Sequence, residues 1–525
     1  MKNNFILALT LLLIPFFNLS SAIDEDSVAH ECSSLLQISL DDLAIEKFEA
    51  GVSNKVYLLS APDGRKFVAK IFTKQTLKEV QEIERISTEL RQKGFQIPST
   101  LYITQLEDKY PLVVIKFLEG NHAKDKDLPK IAELMAALHL ESLDLPASER
   151  FKNDEHYQKL FEKCRNWTHI EELETIYKNL DLSYLKALPK GIIHGDFSYT
   201  NVLYNKDGLT LLDFEHVCTS YLLTDLVRAQ MFFGFDSQGN LLEEKVKSFT
   251  RFYSCKRPLH QVEIDNFYTH MILMMLDTAL EMYYHLEEIK DRSYDHIANE
   301  NNHALLPELL VTKIKNLVGK TSIDLYKSYA FTKPPIIFFG LSGVGKTTLI
   351  HGLMSNSPDL FFIPVFTLTR KPRADDDLRY FSFVTEDEFI KMDQNGDFVL
   401  IMHEGSRYYG YKKTDLGDVE RYPLLNCSVH ALPNAKKLPG VCVLIEGNAE
   451  SGLLSRNQGN DFNARMAINK RNSDLFFDQT FFRTQMDIIH LNEWYFPEKS
   501  LRQLHQSIFE RLNEFDSPIF LPRAA

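Results

Sequence analysis

Phe67, Ala69 and Ile71 occupy alternate positions near the end of KVYLLSAPDGRKFVAKIF (55–72), where a Pro-Asp-Gly turn separates two apolar runs. A period of two marks a half-buried strand, and the turn joins two such strands into a hairpin. Lys70 then points to the opposite face. The period changes at once in TLKEVQEIERISTELRQKG. Leu77, Val80, Ile83, Ile86 and Leu90 recur every three to four residues and Gly94 closes the run, which predicts an amphipathic helix with a C-terminal stop. YPLVVIKFLEG (110–120) reads as another strand and LPKIAELMAALHLES as another helix. Residues 121–330 are mostly helical in pattern, apart from 192–216.

A new rhythm begins at FTKPPIIFFGLSGVGKTT (331–348): a Pro-Pro pair, a short buried strand, a glycine loop, then a helix. A domain boundary is placed near 330. Beyond it, strands such as PLLNCSV and VCVLIEG alternate with helical stretches, as in a parallel α/β domain. The last helix, EKSLRQLHQSIFERLNEF, carries Leu501, Leu504, Ile508, Leu512 and Phe515 on one face.

The composition is ordinary for a globular chain of 525 residues, with 44% hydrophobic and 25% charged residues. The net charge of −13 argues against non-specific nucleic-acid binding, which needs clustered cations. Residues 1–22 hold the three parts of a secretory signal: Lys2, an apolar run from Phe5 to Phe17, and small residues at Ser20-Ser21-Ala22. An uncleaved N-terminal anchor and a chance apolar leader are the alternatives. No later stretch is long and apolar enough to span a bilayer. The six cysteines include no close-spaced pair, so a metal site is not expected and buried free thiols are.

The candidate chemistry lies in two places. IIHGDFSYTNVLYNKDGLTLLDFEH (192–216) sets His194, Asp196, Asn201 and Asp213 in the spacing of a phosphoryl-transfer site. Such a site needs a carboxylate near the acceptor hydroxyl, metal ligands, and a Lys on the nucleotide phosphates. Asp196 and Asn201 are five residues apart, Asp213 ends an apolar strand, and Lys70 supplies the Lys. Glu84, on the following helix, is the candidate partner of Lys70. Plain alternatives are a helix cap for Asp196, a turn for Asn201 and a hydrogen-bonded core residue for His194. The second place is GLSGVGKT, which fits G-x-x-x-x-G-K-[ST]. Gly340, Gly343 and Gly345 let backbone N–H groups approach phosphate, with Ser342 in the same loop. Lys346 reaches the β and γ phosphates, Thr347 is a Mg²⁺ ligand, and Thr348 follows it.

Residues 40–325 resemble the aminoglycoside phosphotransferase and choline kinase superfamily in FEAGVSNKVYLL, LMAALHLES, HGDFSYTNVL, LLDFEH and TDLVRA. The resemblance implies an α+β protein-kinase-like fold of two lobes, Asp196 as catalytic base, Asn201 and Asp213 as Mg²⁺ ligands, Lys70 on ATP, and a nucleotide-covering loop with Gly51 as its one glycine. The acceptor it implies is a small-molecule hydroxyl. Residues 333–518 resemble the guanylate kinase-like P-loop phosphotransferases, which implies an α/β P-loop fold of the nucleoside-monophosphate-kinase kind. TLTRKPR makes Arg370 and Arg373 the acceptor-phosphate clamps. Tyr380 and Tyr409 join them on the acceptor side, and Arg456 and Arg465 fall where lid arginines are expected. Phe366, Phe381 and Leu400 stand where that family has Ser, Tyr and Glu, which removes the hydrogen bonds that discriminate guanine. PLLNCSVHALPNAKKLPGVCVLI and Tyr408-Tyr409-Gly410 look more like the ribose 1,5-bisphosphokinase branch.

The expectation is a bifunctional ATP- and Mg²⁺-dependent phosphotransferase acting on small molecules. The alternatives are a P-loop domain that senses nucleotide without turnover, and a kinase acting on proteins. The leader points to export or an N-terminal anchor, with delivery into an ATP-containing compartment of another cell reconciling it with two nucleotide sites.

Overall fold

The structure, a computed structural model, describes residues 25–48, 54–141, 147–198, 201–205, 208–288, 305–325, 331–373, 376–404, 407–417, 420–436, 438–447, 486–492 and 497–515. The leader, Gly51, Arg456 and Arg465 lie outside the described residues. The chain divides into two compact units. The first takes in Met1–Tyr253 and His260–Ile323, the second Ser254–Leu259 and Asp324–Ala525.

The first unit opens with α1 (Glu25–Leu36), β1 (Ala44–Phe48), β2 (Asn54–Ser60), β3 (Lys66–Phe72), α2 (Leu77–Gln92), β4 (Thr100–Leu106) and β5 (Tyr110–Lys116). The five strands form one antiparallel sheet in the order β1-β2-β3-β5-β4. The predicted hairpin is β2–β3, with Gly64 in its turn at φ 85°. Phe67, Ala69 and Ile71 pack with Tyr57, Leu59, Leu112 and Val114 under α1, through Val28 and Cys32. Alternation sends Val68, Lys70 and Phe72 to the other face, where they line a cavity. Helix α2 starts with a capping box: Thr76 Oγ1 accepts from the Glu79 N–H, and Glu79 accepts from Thr76 N. Gly94, just past its end, adopts φ 95°, as a C-terminal stop requires.

There follow β6 (Asn121–His122), α3 (Leu128–Glu141), α4 (Asp154–Lys163), α5 (Ile170–Lys178), β7 (Lys190–Ile193), β8 (Val202–Asn205), β9 (Gly208–Leu211), β10 (Cys218–Tyr221), α6 (Leu222–Phe233), α7 (Glu243–Lys256), α8 (Gln261–Asp265), α9 (Phe267–Tyr283) and α10 (Pro307–Leu317). Helix α9 is apolar on nearly every face and is buried along its length, in contact with α4, α5, α6 and α10. Apart from one turn of 3₁₀ helix at Phe214–His216, the motif region is not helical. It forms two small sheets, β7 with β10 and β6-β8-β9, which hold the loops between them.

The second unit comprises β11 (Ile336–Phe339), α11 (Lys346–Asn356), β12 (Phe361–Phe362), β13 (Phe366–Leu368), β14 (Phe381–Phe383), α12 (Glu386–Gln394), β15 (Phe398–Glu404), β16 (Arg407–Lys412), β17 (Tyr422–Asn426), α13 (Leu432–Ala435), β18 (Val441–Glu446), β19 (Ile488–Leu491) and α14 (Pro497–Phe515). Its main sheet is parallel, in the order β12-β17-β11-β18-β19, with the P-loop strand β11 at the centre. All four residues of β11 are buried, so both faces of the strand are covered, which explains why IIFF reads as a continuous apolar run. Leu504, Ile508 and Leu512 of α14 are buried in the same core as Ile336, Phe338 and Leu353, and Leu501 packs against it. A smaller sheet, β14-β13-β16-β15, adds antiparallel pairing that the parallel reading did not include. Among the described residues no helix is long and apolar enough to cross a membrane. All six cysteines are buried free thiols.

Candidate functional site

Asp196 follows β7, Asn201 directly precedes β8 and Asp213 follows β9, so three strand ends bring together residues spread over eighteen positions. Gly195 makes the approach possible. It adopts φ 80°, and a Cβ there would stand 2.4 Å from the His216 carbonyl oxygen, so any side chain would collide with backbone. Asn201 ties the loop together: its Nδ2 donates to the Asp196 carbonyl and to Asp196 Oδ2, both at 2.9 Å. Leu212 N–H in turn donates to the Asn201 carbonyl at 2.9 Å, which sets the strand leading to Asp213. Asp213 is a non-glycine residue at φ 60°, a sparsely populated conformation that costs roughly 1–3 kcal/mol and that clusters at working sites.

Lys70 reaches this group from β3. Its Nζ lies 2.5 Å from Asp213 Oδ1 and 3.3 Å from Glu215 Oε2. Burial works against the ammonium, but the two carboxylates outweigh it and hold its pKa above the usual lysine value. The expected partner was Glu84, and the structure corrects this. Glu84 accepts instead from Arg91 and Thr88 on its own helix and from Thr100 on β4, although it lines the same cavity as Lys70. Glu215 takes the role expected of Glu84. Asn54 fixes Glu215 in place, donating from Nδ2 to Oε2, and accepts from Thr73 N–H at 3.2 Å.

His194 is a core residue. It is fully buried, and its Nε2 donates to the Leu212 carbonyl at 2.8 Å. Burial pushes its pKa down, which keeps the ring neutral. Behind it, Asp225 of α6 accepts from the backbone N–H of His194 at 2.7 Å and of Gly195 at 2.9 Å. His139, the histidine of LMAALHLES, lies 3.2 Å from the same carboxylate and 2.7 Å from the Tyr253 hydroxyl. One buried acid thus clamps the loop that carries Asp196. Burial lifts the Asp196 carboxyl well above the usual carboxylate range; the Arg228 guanidinium opposes the shift and Asp213 adds to it. A raised proton affinity suits a general base.

A cavity of about 130 Å³ adjoins these residues, walled by Val68, Val113, Ile115, Leu203 and Leu212, with Lys70, Asp213 and Glu215 also lining it. An apolar slot with charged groups for phosphates matches a nucleotide. Asp196 Oδ1 and Asn201 Oδ1 are buried and without hydrogen-bond partners. Buried oxygens of that kind call for a cation or a donor, and with the Asp213 carboxylate they form the hard oxygen set that Mg²⁺ takes. The donor set therefore fits the ion.

In the second unit the glycine loop joins β11 to the N-terminus of α11. Gly340, Gly343 and Gly345 adopt φ 146°, 97° and 95°, and a Cβ on Gly340 would lie 2.5 Å from the Ile445 carbonyl oxygen. Lys346 Nζ folds back on the Gly340 and Leu341 carbonyls at 2.6 and 3.0 Å. Thr347 and Thr348 are exposed at the helix start, and Ser342 is half-buried. Two residues not foreseen from sequence also hold the loop. Asn426, at the end of β17, donates to Thr347 Oγ1 at 3.3 Å. Asn492, after β19, donates to the Val344 carbonyl at 2.8 Å and accepts from Ser500 at 3.2 Å.

On the acceptor side, Arg370 makes a two-pronged ion pair with Asp376, its NH1 at 2.6 Å, and Arg373 N–H donates to the same carboxylate. Arg370 also lies over the Phe383 ring at 5.4 Å. Tyr380 lines a cavity of about 30 Å³ with Thr347, His351, Phe366 and Asn426. Phe366 stacks on Tyr409 and Tyr411, with ring centres at 5.5 and 4.6 Å. Leu400 is fully buried. Aromatic rings and a buried aliphatic side chain thus stand at these positions.

Both units have the architecture of a phosphoryl-transfer domain, and the sequence comparisons give each a family. Residues 44–259 match the Phosphotransferase enzyme family and residues 332–488 match guanylate kinase, so the chain carries one domain of each in tandem. The homoserine kinase of Parvibaculum lavamentivorans is 23% identical over 231 residues, covering 41% of this chain and 72% of that enzyme. Among solved structures, amicoumacin kinase hAmiN in complex with AMP-PNP, Ca²⁺ and Ami superposes with a TM-score of 0.42 at 14% identity, covering 57% of this chain and 96% of the other. Guanylate kinase from Anaplasma phagocytophilum gives 0.25 at 14% identity, covering 36% and 88%.

Proposed function

We propose that the chain is a bifunctional ATP-dependent phosphotransferase. The first site would phosphorylate a small-molecule hydroxyl, and the P-loop site a metabolite that already carries phosphate. The observation that carries the first half is the meeting of Lys70, Asp196, Asn201 and Asp213 beside an apolar cavity, with two buried oxygens left unpartnered. Asn201 and Asp213 would hold Mg²⁺, which when bound neutralises charge on the nucleotide phosphates. Lys70 pairs with those phosphates from β3. Asp196 takes the acceptor proton as the acceptor oxygen bonds to the γ-phosphorus; the bond from that phosphorus to the β-phosphate oxygen breaks, and ADP leaves with the electron pair. Gly195 and Asp225 keep Asp196 in position throughout. The homoserine kinase of Parvibaculum lavamentivorans is among the curated relatives, so L-homoserine is the first defined acceptor to try.

For the P-loop site, Gly340 to Thr348 support nucleotide binding, while Phe366 and Leu400 speak against guanine as the acceptor's base. A sugar phosphate fits that departure. The occupied Arg370 and the ring-filled acceptor side favour a second reading, in which this domain binds nucleotide without turnover. One experiment separates the two. The full chain is incubated with Mg²⁺, γ-labelled ATP and a metabolite extract, beside Asp196→Ala and Lys346→Ala variants. Two labelled products that vanish separately support two working sites. Label lost only with Asp196→Ala leaves a kinase beside a nucleotide-binding module. Label that survives both substitutions sinks the proposal.

A further inference from the structure

A second cavity of the first unit, about 90 Å³, has Gly195 in its wall, next to Asp196, and is separate from the nucleotide slot. Three cationic side chains line it: Arg150, Lys152 and Arg228. Its one lining carboxylate, Asp277 of α9, is already taken. Lys152 Nζ pairs with Asp277 Oδ2, and His156 Nε2 lies 2.8 Å from Oδ1. Glu281, one turn along, does not line the cavity, and burial raises its carboxyl toward the neutral form, with Asp277 adding to the shift. Lys152 and Asp277 therefore cancel, and two guanidiniums remain uncommitted.

Arg228 is the more telling of these. It sits on α6 one turn past Asp225, the residue that clamps the catalytic loop. Its NH2 is buried and has no hydrogen-bond partner. A guanidinium offers five donors in a planar fork, and leaving a buried donor unpaired is costly. Arg150 lies on a segment pinned to β10: its N–H donates to the Thr219 carbonyl at 3.0 Å, and its carbonyl accepts from Ser220 Oγ at 2.9 Å. Its guanidinium has no ion pair among the described residues.

We propose that this cavity is the acceptor pocket and that it selects acceptors bearing an anionic group, a carboxylate or a phosphate ester, which Arg228 and Arg150 bind while the hydroxyl faces Asp196. The proposal rests on the phosphotransferase reading above and narrows its substrate class. Carboxylate and phosphate both match the guanidinium fork in two-point fashion. A cationic acceptor would meet like charge, with no uncommitted carboxylate among the lining residues to receive it. The volume suits a molecule of a few heavy atoms beyond the hydroxyl.

The test uses the full chain with Mg²⁺, labelled ATP and four acceptors of similar size: L-homoserine, glycerol 3-phosphate, choline and 1,3-propanediol. Label is expected on one or both of the anionic acceptors, and which of the two takes it tells carboxylate from phosphate. Arg228→Gln should raise the KM of the accepted anion at least tenfold, with Arg228→Lys recovering part of the loss. Arg150→Gln, at an exposed position where misfolding is no concern, should raise it in the same direction. Equilibrium dialysis of both anions against the protein with a non-hydrolysable ATP analogue reads binding without turnover. Choline or propanediol labelled as well as the anions would overturn the inference. So would an acceptor KM unmoved in both arginine variants, or neither anion being retained in dialysis. Failure of the underlying reading looks different: label transfer would persist in Asp196→Ala.

Discussion

Asp225 carries more of the first site than its distance from the chemistry suggests. Burial works against its charge, but the hydrogen bond and charge of His139, with the His194 N–H, outweigh it and hold its pKa below the ordinary value. A carboxylate with a depressed folded-state pKa stabilises the fold fully above its unfolded pKa, about 4, and the contribution is lost as pH falls through the folded value. Asp225→Asn should therefore cost about 2–4 kcal/mol at pH 7, since it leaves a buried donor facing donors. The gap between its urea midpoint and that of the parent should stay constant above about pH 5 and narrow as pH falls below about 4; a gap independent of pH down through that range would refute the assignment. Arg370 poses the opposite case. It already holds an anion, so an incoming phosphate must displace Asp376 rather than water. Asp376→Asn should tighten inorganic phosphate binding several-fold by calorimetry, whereas a site that needs Asp376 to orient Arg370 would bind phosphate more weakly. At this scale the spacing of Asp196, Asn201 and Asp213 was legible, because one loop and one strand fix it. The partner of Lys70 was not. Helical periodicity says which face Glu84 shares, and nothing about Arg91 and Thr100 competing for it. Glu215 was in plain view two residues after Asp213, but only the φ 60° turn at Asp213 aims it back at Lys70.

Elements were easier to read where one face was buried. The β2–β3 hairpin and α2 follow their periods closely, and the α2 capping box is visible as Thr76 followed three residues later by Glu79. Thr76→Ala should cost about 1 kcal/mol, seen as a lower thermal midpoint with the cavity residues otherwise unchanged. Helix α1 escaped notice because it buries only Val28 and Cys32 fully, too few positions to make a period. The antiparallel sheet of the second unit escaped for a related reason. Its strands β13 and β14 have three residues each, shorter than any window in which alternation can be judged. The glycine loop was legible from its motif, but its bracing was not: Asn492 lies 148 residues from Val344, and no local pattern links them. Asn492→Ala should weaken nucleotide binding at the P-loop several-fold in a fluorescent-nucleotide titration, and unchanged affinity would show the brace to be idle.

At the scale of the whole molecule, the two units each bring a nucleotide-side constellation of their own, so calorimetry on the parent chain should find two bound nucleotides and on Lys346→Ala only one. The six cysteines offer a second global test. Burial pushes the thiols of Cys32, Cys164 and Cys442 up to about 12 and that of Cys218 to about 11, which suppresses the thiolate. A thiol reagent should label the native chain barely at all and the urea-unfolded chain at six positions. The same burial has a bearing on how the chain can be made. Six thiols in an unfolded chain admit fifteen complete pairings, and the native structure uses none of them. Every disulfide formed before folding is a wrong turn that must be undone. Recovery after dilution from urea should then depend on reductant and fall sharply in an oxidising buffer.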